Sequence, residues 1–114
     1  MYKLKSELVK TTVSNLRGGI GDIIREDFFT EGEMFGKVRL CATFTLPPGS
    51  TVGDHTNGPV AEIYYIISGS LQVTDDGVTK ELGPGDAVLT GNNKHHSFAN
   101  TSDKDVTLLA IIVN

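Results

Sequence analysis

Apolar and polar residues alternate along most of this chain, in short runs broken by glycine, proline and acidic turns. Val38, Leu40, Ala42, Phe44 and Leu46 fall on one side of the segment from Lys37 to Leu46, with Arg39, Cys41, Thr43 and Thr45 on the other. A period of two is that of a strand with one buried face. Pro47-Pro48-Gly49 ends the run, as this dipeptide chemistry favours a turn. Glu62–Ile67 (EIYYII) is a second strong β segment, closed by Ser68-Gly69. Leu71–Thr74 and Val78–Leu82 flank Asp75-Asp76-Gly77, which reads as a hairpin.

The remaining segments are weaker. Residues 1–9 suit a loose arm or a short helix, Gly19–Phe29 a strand with Ile20 and Ile24 among charges, and Glu31-Gly32-Glu33 a turn. Residues 50–61 read as a loop with one short strand. Gly83-Pro84-Gly85-Asp86 is a tight turn, Ala87–Thr90 a short strand and Gly91–Lys94 a polar loop. His96–Asn100 and Val106–Val113 complete the series. No helical period persists. Eight to ten short strands with frequent turn signals predict an all-β sandwich or barrel, and no linker divides residues 1–114 into two domains.

Composition narrows the partners. The chain has 114 residues, a formal net charge of -4 and no cationic stripe, so phosphate-backbone binding and nucleic-acid partners are not expected. A membrane surface is disfavoured on the same ground, and the longest apolar run, Leu108–Val113, is far too short to span a bilayer. Cys41 is the one cysteine and the N-terminal MYKLKSELVKTT lacks the apolar segment of a secretory signal, so a reducing cytoplasm is the expected location. Thirteen glycines against four prolines fit many tight turns.

Two segments carry candidate chemistry: Gly49-x5-His55-x-Asn57-x4-Glu62-x6-Gly69 and Gly85-x10-His96-x3-Asn100. Imidazole and carboxylate groups on strand-like sequence suit a metal, because a transition ion needs convergent N/O ligands on a stiff frame. Glu62 opens an otherwise apolar strand. If it shares the inner face with Tyr64 and Ile66, its burial demands a partner; if it faces water, it is an ordinary surface residue. His95 should point away from His96 and, like Asp54, reads as a rim residue. Asn100 suits a backbone hydrogen bond. Tyr64 and Phe98 are either pocket lining or plain core. Arg39 could clamp a carboxylate or phosphate if its face lines the barrel. Cys41 has no assignable base and reads as a small apolar group. The Gly-rich LRGGIGD (residues 16–22) reads as a turn or strand start and not a phosphate cradle.

These segments resemble the paired motifs of the cupins, small jelly-roll (double-stranded β-helix) barrels. Gly49, His55, Glu62 and Gly69 match the first motif in type and spacing, and Gly85, His96 and Asn100 the second. The resemblance covers residues 49–100. It departs at Asn57, where the family has a second histidine, and at Gly91 and Asn93, where it has proline and glycine. The family's three histidines and one glutamate carry over as His55, Glu62 and His96, with Asn57 as a weaker fourth ligand or a partner of metal-bound water. What the resemblance implies is one divalent ion (Mn, Fe, Ni, Co or Zn), a small carboxylate- or sugar-like ligand, and a homodimer in which residues 1–30 pack against a partner sheet. Similar cupins include oxalate decarboxylases, sugar-phosphate isomerases and dioxygenases. Two functional classes follow: a metalloenzyme of decarboxylase, dioxygenase or isomerase type, and a non-catalytic module that binds or senses a small molecule or metal. No general acid or base is legible beyond the ligands, and the exchange at Asn57 favours the module.

Overall fold

The computed structural model describes residues 1–114 and contains ten strands. They are β1 (Val9–Ser14), β2 (Asp22–Asp27), β3 (Val38–Leu46), β4 (Thr51–His55), β5 (Ala61–Ser68), β6 (Leu71–Asp75), β7 (Val78–Leu82), β8 (Ala87–Gly91), β9 (His96–Ala99) and β10 (Val106–Val113). They form a six-stranded sheet in the order β1-β2-β3-β10-β5-β8 and a four-stranded sheet in the order β4-β9-β6-β7. All pairings are antiparallel. This is the all-β jelly-roll architecture expected from the alternation and the cupin-like motifs.

The inner faces of both sheets supply the core. Ala42, Phe44 and Leu46 of β3 meet Leu108 and Ala110 of β10, Tyr64 and Ile66 of β5, Leu71 and Val73 of β6, and Phe98 of β9. Burying each Leu, Ile, Val or Phe stabilises the fold by roughly 1.5–3 kcal/mol. The alternation of β3 is borne out, since its apolar side is the one turned inward. The β6–β7 hairpin turns through Asp76 and Gly77, both at positive φ, the backbone of a tight hairpin whose twist matches its strands.

One N-terminal expectation is corrected, and one strand goes beyond the expectations. The loose arm over residues 1–9 contains only a three-residue 3-10 turn, Lys5–Glu7, and the chain then forms β1, which the alternation did not announce. The reason is burial: every β1 residue except Val13 is exposed, so no side carries an apolar signature. The strand expected over Gly19–Phe29 is trimmed to β2, and its core residue is Ile23, with Ile20 and Ile24 exposed. Gly19 and Gly21 belong to a turn that packs on β4. Leu16–Gly18 forms a second 3-10 turn at its start.

Candidate metal centre

The pairing of β4 with β9 places the first two site residues. Thr51 faces Ala99 and Val52 faces Phe98, but the next partner of His96 is His55 and not Asp54. One extra residue in β4 makes a bulge, which reverses the inward side of the strand. Strict alternation from buried Val52 would have turned Asp54 inward. The bulge instead brings His55 in beside His96 and leaves Asp54 outside, where it pairs with exposed His95 at 3.3 Å. Glu62 arrives from the opposite sheet. It shares the inner face of β5 with Tyr64 and Ile66, as the alternation required, and is 3% exposed.

These three side chains converge. Ligand atoms of His55, Glu62 and His96 all lie within 4.8 Å of one another. His96 Nε2 is 3.0 Å from His55 Nε2 and 3.6 Å from Glu62 Oε2. His55 Nδ1 lies 2.7 Å from the Gly53 carbonyl oxygen and donates to it. Its Nε2 therefore presents a lone pair to the centre, the tautomer that a metal-binding histidine needs. Glu62 Oε2 is buried with no hydrogen-bond partner. A proton on His96 Nε2 can join the imidazoles and still leave that oxygen orphaned, which costs roughly 1–3 kcal/mol or more for a charged group.

Electrostatics sharpen the same picture. Burial, then the neighbouring His55, pushes His96 down to about 4. Burial also lowers His55, against the pull of the Gly53 carbonyl. Burial raises Glu62, opposed by the Tyr64 hydroxyl and by Arg17. Tyr64 is driven well above the usual phenol range by burial and by Glu62, so its hydroxyl stays protonated. Two neutral imidazoles and one carboxylate oxygen without a hydrogen-bond partner thus face one point. Ligand bonds of about 2.0–2.2 Å from a shared cation fit pairs of donor atoms separated by 3.0 and 3.6 Å. The donor set fits a transition metal.

A cavity of about 130 Å³ opens beside this group, with walls that include Arg17, Arg25, His55, Asn57, Glu62 and Tyr64. Asn57 borders it, but its Oδ1 accepts a hydrogen bond from Arg17 Nη2 at 3.0 Å. Phe98 lies behind His96 as core, with ring centroids 4.7 Å apart, and stacks on Tyr64 at 4.3 Å. Arg39 is exposed and borders a different depression, with Arg25, Asp27 and Glu31, so its face of β3 does not line the barrel interior. Asn100 holds backbone, donating to the carbonyls of Leu46 and Lys104. Cys41 is half-buried on the outer side of β3. A larger groove of about 470 Å³ runs between β7 and β8 with mostly apolar walls and none of the three converging groups.

Arg17 and Arg25 were not legible as site residues. Arg25 is neutralised by Asp27, 2.8 Å away. Arg17 reaches the cavity because the Leu16–Gly18 turn is pressed against β4. A Cβ on Gly53 would stand 1.9 Å from the Arg17 carbonyl oxygen, and one on Gly19 would stand 2.1 Å from that of Thr51. The glycines of LRGGIGD were the available signal, since such residues mark close backbone approach.

Known proteins share this fold. The cupin domain family matches residues 42–112. This chain belongs to the cupin family. An oxalate-binding protein of Thermotoga maritima is 37% identical over 99% of the chain and 93% of its own length. The crystal structure of a Thermotoga maritima protein described as a predicted oxalate decarboxylase superposes with a TM-score of 0.95 at 36% identity, covering 99% of this cupin and 98% of that chain. An RmlC-like cupin from Shewanella frigidimarina superposes with a TM-score of 0.79 at 14% identity, over 98% and 88% of the two chains, which speaks for the fold alone.

Proposed function

We propose that this cupin binds one divalent transition metal through His55, Glu62 and His96 and takes up a small carboxylate ligand there. The observation that carries the reading is the orphaned Glu62 Oε2, aimed at the same point as two imidazole nitrogens. When bound, Mn, Fe, Co, Ni or Zn would act as a Lewis acid toward a carboxylate oxygen. Around it, Gly53 fixes the His55 tautomer, Phe98 and Tyr64 seat His96 against rotation, and Tyr64 offers a protonated hydroxyl. The amide oxygen of Asn57 accepts a hydrogen bond from Arg17, so this reading gives Asn57 an orienting role beside the three ligands.

Cavity size favours an acid over a sugar. An engineered cavity of about 150 Å³ accepts benzene, so about 130 Å³ suits a ligand of a few heavy atoms. The oxalate-binding relative points to the same class of ligand. A metal-dependent enzyme of decarboxylase type is the second reading, favoured by the Tyr64 hydroxyl as a proton donor inside the cavity. The rest of the chain is read as a single cupin domain over residues 1–114, acting in the cytoplasm as a homodimer. Exposed Tyr65, Ile67 and Leu89 on the outer side of β5 and β8 support the dimer.

Calorimetry with Mn²⁺, followed by oxalate, tests the assignment. One Mn²⁺ per chain is expected, with oxalate binding to the loaded protein only. Glu62→Gln should abolish the Mn²⁺ isotherm while raising the melting temperature of the metal-free protein, since it removes a buried carboxylate whose Oε2 has no partner. Undiminished Mn²⁺ uptake by that variant would refute the ligand assignment. Oxalate turnover, followed as released CO₂, would move the protein to the enzymatic reading.

A further inference from the structure

We propose that Arg17, held in place by Asn57, reads the far carboxylate of a short dicarboxylate and makes the site select dianions over monoanions. The inference rests on the carboxylate reading above and adds the residue that sets specificity.

The backbone is built to deliver this side chain. Arg17 has φ 54 and follows Asn15 at φ 53, both in the left-handed region. That conformation is unfavourable for a non-glycine residue and persists only where the surroundings enforce it. Here the Gly19 and Gly53 contacts lock the turn onto β4, the strand that carries His55. The side chain then reaches the wall of the same cavity as His55, Glu62 and Tyr64.

The charge is also left uncancelled. Arg25, the other arginine of the cavity, is paired with Asp27. Arg17 has a neutral amide as its hydrogen-bond partner. Asn57 orients the guanidinium without consuming its charge, which an aspartate in its place would do. A divalent cation, the Glu62 carboxylate and the Arg17 guanidinium together leave two net positive charges. A dianion cancels both and a monoanion only one. The planar fork of a guanidinium matches a carboxylate edge, and a cavity of about 130 Å³ suits a short dicarboxylate.

The test is calorimetry on the full chain: Mn²⁺ alone, then oxalate or acetate titrated into Mn²⁺-saturated wild type, Arg17→Met and Arg17→Lys. Arg17 is exposed, so both variants should fold, and their Mn²⁺ isotherms report on it. Arg17→Met should keep Mn²⁺ binding and lose oxalate affinity roughly ten- to hundredfold, while acetate affinity changes far less. Arg17→Lys should fall between, keeping charge and losing the fork. Oxalate affinity unchanged in Arg17→Met, or an equal loss for both anions, overturns the inference and leaves the metal–carboxylate reading standing. Wild type that takes up Mn²⁺ but not oxalate removes the carboxylate reading itself, and this inference with it.

Discussion

At the scale of the residue, burial of ionisable groups dominates this protein's chemistry. His96 is held at about 4, against about 6.5 in an unfolded chain. Between those values the unfolded chain binds a proton that the folded chain refuses, so acid favours unfolding. This stabilisation is complete above pH 6.5 and is lost as pH falls toward 4, about 3 kcal/mol in all. His55, lowered in the same direction, adds to the loss. Glu62 works the other way: the folded chain holds its proton more tightly, so its contribution disappears as pH rises through its raised value. Melting of the metal-stripped protein should therefore drop between pH 6.5 and 4, and His96→Gln should flatten that drop. An equally steep drop in the variant would show that the proton goes elsewhere. His55, Glu62 and His96 were legible as a group because their spacing matches the paired cupin motifs. That His55 and not Asp54 faces inward followed from the cupin-like spacing and not from alternation, since a bulge shifts the side-chain phase without a mark in the pattern.

At the scale of the element, one turn and one strand govern the cavity. The Leu16–Gly18 turn and β4 meet backbone to backbone, and Gly19 and Gly53 exist as glycines because no side-chain carbon fits there. Gly53→Ala would place a methyl 1.9 Å from the Arg17 carbonyl oxygen. Backbone cannot yield as a flexible side chain does, so the cost should be about 3 kcal/mol or more. Urea unfolding should show that loss, with a displaced turn and weaker ligand binding; a variant as stable as wild type would mean that the turn does not press on β4. This contact explains why Arg17 escaped detection. Alternation reports burial of side chains, and Arg17 is placed by the approach of two main chains distant in sequence. β1 escaped for a related reason, having no buried side to show. β3, β5 and β10 were legible because each buries one side against the opposite sheet.

At the scale of the whole molecule, the two sheets divide the work. Their inner faces make one core and set the converging groups among its buried side chains. The outer side of the six-stranded sheet carries apolar residues that a lone chain leaves in water: Tyr65 is 44% exposed and Leu89 62%. Ile63 pairs across the ladder with Leu89, and Tyr65 with Leu109, so the apolar surface is continuous from β8 through β5 to β10. A stable dimer covers about 800 Å² on each partner, and a continuous exposed apolar face is the kind of surface such an interface buries. Sedimentation equilibrium should give twice the chain mass, and Tyr65→Arg should shift it toward one chain with the fold kept. A monomeric wild type would contradict the proposed assembly and leave the metal site untouched.

The arrangement of His55, Glu62 and His96 is the centre of the account, and X-ray diffraction tests it most directly. Crystals grown with Mn²⁺ should give one strong anomalous peak per chain, within bonding distance of Nε2 of His55, a carboxylate oxygen of Glu62 and Nε2 of His96. A map with no peak there, or with its strongest peak on other residues, would contradict it.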